Sequence, residues 1–444
     1  MKSIALPEIE TQVLDNGVKV LAARVEKLPL VSIVFMLNTG AETDGDGKAG
    51  QADLTCEMLT LGTEKRSGDQ IALEIDSLGA RLIFYSGWDA TFIEIEGLSE
   101  DLPVLLEILS DMVLRPTFPK REFDQLKGRR IARLIQDQDD SGIVADDQFV
   151  QFVFGGTPYG HPRRGTVDSV KALSLDDLRA FHTDYFLADR CTLMIVGEIE
   201  FEDAFKEAAK FLGPLERGPG SPDVLDFALP DKVNRKVRII HRPDLTQSQI
   251  RLGHPGIRRT SPDHDIFQVA NYILGGGGFS SRLMEKIRSQ KGYTYGISSQ
   301  FKGRRHPGPF VISTFTPNES TFAVVTEIIT VVEGFIEEGT TLTELKEAKN
   351  YFLGSYPFRF ETYRRIAREI LDVELYGLGI RSLAEYPQRV SKITRREIQS
   401  VVPRNLNPDS FFAVIVGNCE FFKKEMEKLG PVEIIDFQAL VARR

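Results

Sequence analysis

Cysteine is scarce in this chain of 444 residues, and the three present, Cys56, Cys191 and Cys419, form no Cys-x-x-Cys pair. An odd and scattered set excludes a disulfide framework or a zinc knuckle as the organising device, and leaves reduced thiols as the default. Long apolar runs are also missing: no stretch of about 18 apolar residues occurs, so no membrane-spanning helix is expected. The N-terminus, MKSIALPEIETQVLDNG, has one lysine and no continuous apolar segment of the signal-peptide kind. A cytoplasmic protein is expected, or a periplasmic one whose signal peptide has been removed. A basic surplus is lacking too, since 55 Lys and Arg stand against 64 Asp and Glu, a formal net charge of -9. That balance argues against nucleic acid, whose phosphates need a basic face. The runs Lys127 to Arg133 and Lys302 to His306 are short and read as ion-paired or solvated faces.

What is present is the composition of a globular protein, 42% hydrophobic and 27% charged. At roughly 150 residues per domain the length predicts two to four units. The chain divides itself by an internal repeat. From Ser174 it reads SLDDLRAFHTDYFLADRCTLMIVG, and from Thr394, 220 positions on, TRREIQSVVPRNLNPDSFFAVIVG. Both segments end in an apolar strand closed by glycine, Gly197 and Gly417, and each is followed by a Glu- and Lys-rich helix that stops at Leu-Gly-Pro. Residues 31 to 39 and 248 to 256 read as strands; Leu102 to Val113 and Phe322 to Phe335 read as apolar helices. A further helix follows each of these, at Arg121 to Gln136 and Leu342 to Tyr356. The stretch GPLERGPGSPDV, 213 to 224, is rich in turn formers and reads as a linker. The predicted organisation is α+β: two homologous domains, residues 1–214 and 225–444, joined by a linker at 215–224, each a mixed or antiparallel sheet packed with helices.

Two segments carry candidate chemistry. In the first half, AGQADLTCEMLTLGT (49 to 63) predicts a helix with Leu54, Met58 and Leu61 as its buried stripe. Asp53 and Glu57 then share a neighbouring face one turn apart. It is followed by Leu78-Gly79-Ala80 and an alternating strand, Phe84 to Ile95. In the second half, NYILGGGGFSSRLMEKIRSQKGYTYGISSQF (271 to 301) predicts a helix with Ile266, Val269, Ile273 and Leu274 on one face. That helix breaks at Gly275 to Gly278 and is followed by a helix at Ser281 to Ser289 and a strand at Tyr293 to Ser299. The four glycines lack the Gly-Lys-Ser/Thr of a phosphate loop, which rejects nucleotide binding. By themselves Arg288 reads as a helix C-terminal cation and Tyr295 as a ring packed in a sheet.

With these residues in view, the chain resembles the pitrilysin-type zinc peptidases, the insulinase and mitochondrial processing peptidase family. Their first half carries His-x-x-Glu-His ahead of a Gly-Thr. Set on Met58 and Gly62-Thr63, the first histidine falls on Asp53, the catalytic glutamate on Cys56 and the second histidine on Glu57. The family's third ligand, a glutamate on a later helix, falls near Arg133 or Leu134. Zinc needs nitrogen, thiolate or carboxylate donors in near-tetrahedral array and a base beside its water. Asp53 and Glu57 supply two oxygens and no base, so no metal is expected on this chain. Two occupants of the pair stay open, a hard cation or an arginine, Arg129, Arg130 or Arg133. Cys56 has no nearby histidine to make it a nucleophile and reads as a small buried residue. His161, His182, His241, His254, His264 and His306 form no His-x-x-x-His or Glu-x-x-His pair, and read mostly as loop or strand-end residues.

The second half resembles the family's Arg and Tyr motif, seven residues apart, here Arg288 and Tyr295, with Tyr293 where leucine is usual. The resemblance implies that these two donate hydrogen bonds to a substrate carbonyl that gains charge. It therefore implies a noncatalytic subunit of a two-chain metallopeptidase. The expected partner is a zinc-bearing homologue, and the expected substrate an unfolded peptide added as a strand to a sheet edge. The alternatives are a structural or assembly protein of the same fold, or a peptide-binding module. Homodimer and heterodimer both stay open.

Overall fold

The computed structural model describes residues 6–220, 227, 229 and 234–442. Twelve strands form two six-stranded sheets among the described residues. The first holds β1 (Glu8–Val13), β2 (Lys19–Arg24), β3 (Leu30–Leu37), β4 (Arg81–Ser86), β5 (Thr91–Leu98) and β6 (Cys191–Gly197), in the order β1-β2-β6-β3-β5-β4. The second holds β7 (Lys236–His241), β8 (Gln247–Pro255), β9 (Ile297–Phe301), β10 (Pro309–Pro317), β11 (Phe412–Gly417) and β12 (Val432–Asp436), in the order β12-β7-β11-β8-β10-β9.

Five strands of each sheet repeat in order and sense. β2 runs parallel to β6, and β3 is antiparallel to both β6 and β5, as β7 is to β11 and β8 to β11 and β10. The sixth breaks the symmetry: β1 pairs β2 antiparallel, whereas β12 pairs β7 parallel. The fold is a duplicated α+β architecture. The strands closed by Gly197 and Gly417 are β6 and β11, and both are buried along their whole length.

The packing exchanges segments between the two sequence halves. One compact unit is Met1–Leu134, Pro162–Asp226 and Pro357–Ala384; the other is Ile135–His161, Phe227–Tyr356 and Glu385–Arg444. In the first unit β2, β3, β5 and β6 turn Val20, Ile33, Phe35, Ile93, Leu193 and Ile195 into one core with the helices Leu102–Leu114 and Phe201–Leu212. Alternation along a strand sends Val34, Met36, Met194 and Val196 to the opposite face. These four are buried as well, and the helix Tyr363–Leu375 packs on β3 and β6. In the second unit the helix Ser141–Phe154 packs on β11 and β8, with Val144 and Ala145 against Ile240 and Val416. The two exchanged helices stand at nearly the offset of the repeat, so each sequence half sends out the same element. The cut at 215–224 thus follows the chain and not the packing; residues 221–224 of it lie outside the described residues.

Several elements differ from the sequence expectation. Phe84 to Ile95 is no single strand but the hairpin of β4 and β5, turned by Gly87-Trp88-Asp89-Ala90 and closed by a Gly87 N–H bond to the Ala90 carbonyl at 2.7 Å. The alternation continues through a short turn, which hides it from a period count. The helix read over 49 to 63 is Gln51–Met58, with Leu61 only partly buried. The helix after β11 is cut down to one 3-10 turn, Cys419–Phe421, and four residues, Lys423–Met426, because Phe422 takes extended φ of -144° between them. The strand expected from Tyr293 starts at Ile297.

Candidate active-site elements

In the first unit the sequence leading to the Gln51–Met58 helix dictates a tight entry. Gly50 sits at φ +94°, where a side chain would be strained, and a Cβ there would lie 2.8 Å from the Arg164 carbonyl. Asp44 reaches back over this turn: its two oxygens accept the Gly50 and Ala52 N–H groups at 2.7 and 2.8 Å. A carboxylate here satisfies orphan donors of the helix start. Burial nevertheless pushes the Asp44 carboxyl up to about 7, against those bonds and aided by the neighbouring Asp53 charge.

Asp53 and Glu57, four residues apart, point to the helix Lys120–Asp137, from which Arg130 meets both. Its Nη1 lies 2.7 Å from Asp53 Oδ2 and its Nη2 2.9 Å from Glu57 Oε2. Of the three arginines named from the sequence, Arg130 makes this bridge; Arg129 and Arg133 lie on the exposed side of the helix. Arg163, which sequence reasoning missed, stands near Asp53. Burial lowers its affinity for the proton and the Asp53 charge opposes that, while Nη1 donates to the Ser86 carbonyl at 2.5 Å. Cys56 faces inward: it is buried, its sulfur 4.0 Å from the Phe92 carbonyl. Burial, then the charges of Asp53 and Glu57, push its thiol well above the ordinary range, which is the reverse of an activated nucleophile.

These residues do not fit a zinc ion. A guanidinium occupies the space between the two carboxylates, and at the third ligand position Leu134 packs into the core.

In the second unit the glycine run serves a close approach. A Cβ on Gly275 would meet Ser299 Oγ at 2.5 Å and its backbone N at 2.7 Å. The segments Tyr272–Gly276 and Met284–Gln290 are π-helical, a geometry found often at functional sites. Arg288 lies in the last turn of the second, its guanidinium 4.6 Å from the centre of the Phe279 ring, its Nε donating to the Tyr295 carbonyl at 3.1 Å. Tyr295 is therefore not packed in a sheet: it precedes β9 and is 83% exposed. Its backbone is anchored all the same. Thr314 of β10 donates to the Gly296 carbonyl at 2.8 Å, and Thr316 to the Tyr293 carbonyl at 2.7 Å. The structure thus joins Arg288 and Tyr295 through the main chain and holds the phenol outward on a fixed loop.

Both sheets end in a strand paired on one side among the described residues, β4 in the first and β9 in the second. Of the histidines, His161 and His306 lie in loops and His241 closes β7, as expected, whereas His182 and His264 lie in helices; His254, His264 and His306 are buried. His254, inside β8, donates from Nδ1 to the Pro255 carbonyl at 2.6 Å and accepts the Asn407 N–H at Nε2. Burial lowers it to about 4. No described helix is long and apolar enough to cross a membrane.

Residues 19–166 match the family described as Insulinase (Peptidase family M16), and residues 172–352 match the Peptidase M16 inactive domain. The chain belongs to peptidase family M16, and on its residues it is a noncatalytic member. It is similar to a non-peptidase homologue, YmxG, of Helicobacter pylori, 26% identical over 88% of this chain and 90% of that one. It is similar to subunit 1 of the human mitochondrial cytochrome b-c1 complex, 28% identical over 61% of this chain and 56% of that one. The crystal structure of a peptidase M16 inactive domain from Pseudomonas fluorescens superposes with a TM-score of 0.87 at 27% identity, over 92% of this chain and 98% of that one.

Proposed function

We propose that this chain is the noncatalytic subunit of a two-chain zinc metallopeptidase, lending Arg288 and Tyr295 to an active site whose zinc belongs to a homologous partner. The observation that carries the reading is the contrast between the two motifs. Arg130 closes the carboxylate pair of the first, while the second keeps an outward phenol and a guanidinium fixed against its backbone. A fixed pair of donors is what stabilises a carbonyl oxygen as it gains charge, because no reorganisation is needed when the charge appears. Arg288 uses Nε on Tyr295, so Nη1 and Nη2 are the donors directed to substrate. The substrate is an unfolded peptide, which an edge strand such as β4 takes up by main-chain hydrogen bonds.

The test is reconstitution. Alone, with or without added zinc, the protein is expected to cleave no member of a quenched-fluorescence peptide library. Mixed with a His-x-x-Glu-His homologue from the same genome it is expected to restore cleavage, and Arg288→Ala or Tyr295→Phe to lower turnover of the mixture by ~10². Chelator-sensitive cleavage by the lone chain, or full turnover by both variants, overturns the reading.

A second reading, a structural or assembly protein, is favoured by the likeness to the cytochrome b-c1 complex subunit. Affinity capture from native extract separates the two: a soluble zinc-bearing homologue supports the first, a stable multi-subunit assembly without one the second.

A further inference from the structure

At the ends of β7 and β11 the second unit brings His241 beside the adjacent residues Cys419 and Glu420, far away in the chain. His241 closes β7 and pairs in the parallel ladder with Gly417, the last residue of β11. The chain then leaves through Asn418, whose side-chain oxygen accepts the Glu420 N–H at 3.2 Å and starts the single turn Cys419–Phe421. In the first half a full helix, Phe201–Leu212, follows the equivalent strand. The shortened turn of the second half instead presents Cys419 and Glu420 side by side to His241. One ring nitrogen of His241, the Cys419 sulfur and a Glu420 oxygen all lie within 4.8 Å of one another, the one such group among the described residues.

A cation has one long bond to displace: the Cys419 N–H donates to His241 Nδ1 at 3.3 Å, and the single lone pair that accepts it is the one a metal on Nδ1 takes. The sulfur stands 3.9 Å from Glu420 Oε1. Two ligands at ordinary zinc distances in a tetrahedron are about 3.5 Å apart, so a few tenths of an ångström separate this pair from a ligating geometry. A positive group already sits on the outer donor: Lys423 Nζ is 2.6 Å from Glu420 Oε1.

We propose that His241, Cys419 and Glu420 form a three-donor site for a zinc-class divalent cation, with water as the fourth ligand. The nitrogen, sulfur and oxygen set selects a borderline metal and rejects calcium and magnesium, which want oxygen alone. Binding forms a metal–thiolate bond and releases the thiol proton to solvent, and Lys423 gives way to the ion. The site is separate from the first unit's carboxylate pair and independent of the peptidase reading. It departs from the expectation of no metal on this chain, which weighed Asp53, Glu57 and histidine pairs close in sequence; His241 and Cys419 meet through the β7–β11 ladder.

The test is titration of the reduced, full-length protein with cobalt(II) alone, a spectroscopic substitute for zinc. One ion per chain is expected, with a near-ultraviolet thiolate-to-cobalt absorption that zinc displaces. Cys419→Ser should abolish that band, His241→Ala should weaken binding at least tenfold, and Lys423→Ala should tighten it. Circular dichroism checks that each variant keeps its fold. No band in the wild type, or equal cobalt binding by wild type and by whichever of Cys419→Ser and His241→Ala is folded, means an adventitious ion only and overturns the proposal.

Discussion

Arg130 holds Asp53 and Glu57 in one fork, at 2.7 and 2.9 Å, with all three side chains mostly buried. Removing the arginine leaves two carboxylates facing each other one helical turn apart in a poorly solvated space. Arg130→Ala is expected to destabilise the first unit by about 3 kcal/mol, the scale for breaking a buried ion pair by one partner. Replacing all three with apolar residues of similar volume is expected to restore most of that. Urea unfolding of the single and triple variants measures both; a triple variant no more stable than Arg130→Ala contradicts the account.

The bridge was legible as a possibility and no further. Residue types and helical spacing put Asp53 and Glu57 on one face and offered Arg129, Arg130 and Arg133 as partners. Which arginine points inward depends on the rotation of the helix Lys120–Asp137 against the core, fixed by Phe123 and Leu126. The duplication, β6, β11 and the long helices were readable because they are periodic and end at glycine. The exchange of Ser141–Phe154 and Tyr363–Leu375 was not, since an apolar stripe states that a helix is buried and not against which sheet. The outward setting of Tyr295 was hidden for a similar reason: Thr314 and Thr316 of β10, distant in sequence, pin its loop.

Two glycines near the first motif should respond very differently to alanine. Gly50 has φ +94° and a built Cβ would lie 2.8 Å from the Arg164 carbonyl, whereas Gly47 has φ +73° and open space around it. Gly47→Ala is expected to cost about 1 kcal/mol, the left-handed backbone penalty alone. Gly50→Ala adds a backbone clash at the helix entry and should cost about 3 kcal/mol. Equal urea midpoints for the two variants would show that the entry turn relaxes freely.

His254 gives the second unit a pH-dependent stability of definite sign. Its folded value of about 4 lies below the ordinary 6.5, because burial disfavours the imidazolium. Above pH 6.5 both states carry the neutral ring and nothing is lost. As pH falls from 6.5 to 4 the unfolded chain takes up a proton that the folded chain refuses, so stability declines, by up to about 3 kcal/mol. His254→Phe, which fits between the rings of Phe310 and Phe411, should be less stable at neutral pH for its lost bonds to Asn407 and Pro255. The difference between variant and wild type should then shrink below pH 6. A difference constant from pH 7 to 4.5 would mean that His254 titrates normally in the folded protein.

The exchanged helices make a prediction about the halves. A fragment of residues 1–214 contains β1 to β6 but not Tyr363–Leu375, whose Ile366, Ile370 and Leu371 are buried in the first unit. Each such side chain is worth about 1.5 to 3 kcal/mol when covered, so losing all three removes a large part of the stability a domain has. Val34, Met36, Met194 and Val196 would then face water as a contiguous apolar strip, the kind of surface that associates. The fragment is expected to bind a hydrophobic dye, aggregate and lack a cooperative melt. The fragment 225–444 should do the same for want of Ser141–Phe154. Co-expression of the two should give a soluble complex with a single transition, because each carries the helix that covers the other's sheet. A monodisperse, cooperatively melting 1–214 would show that the helix Tyr363–Leu375 is dispensable to the first unit, and that its packing on β3 and β6 adds little to the fold.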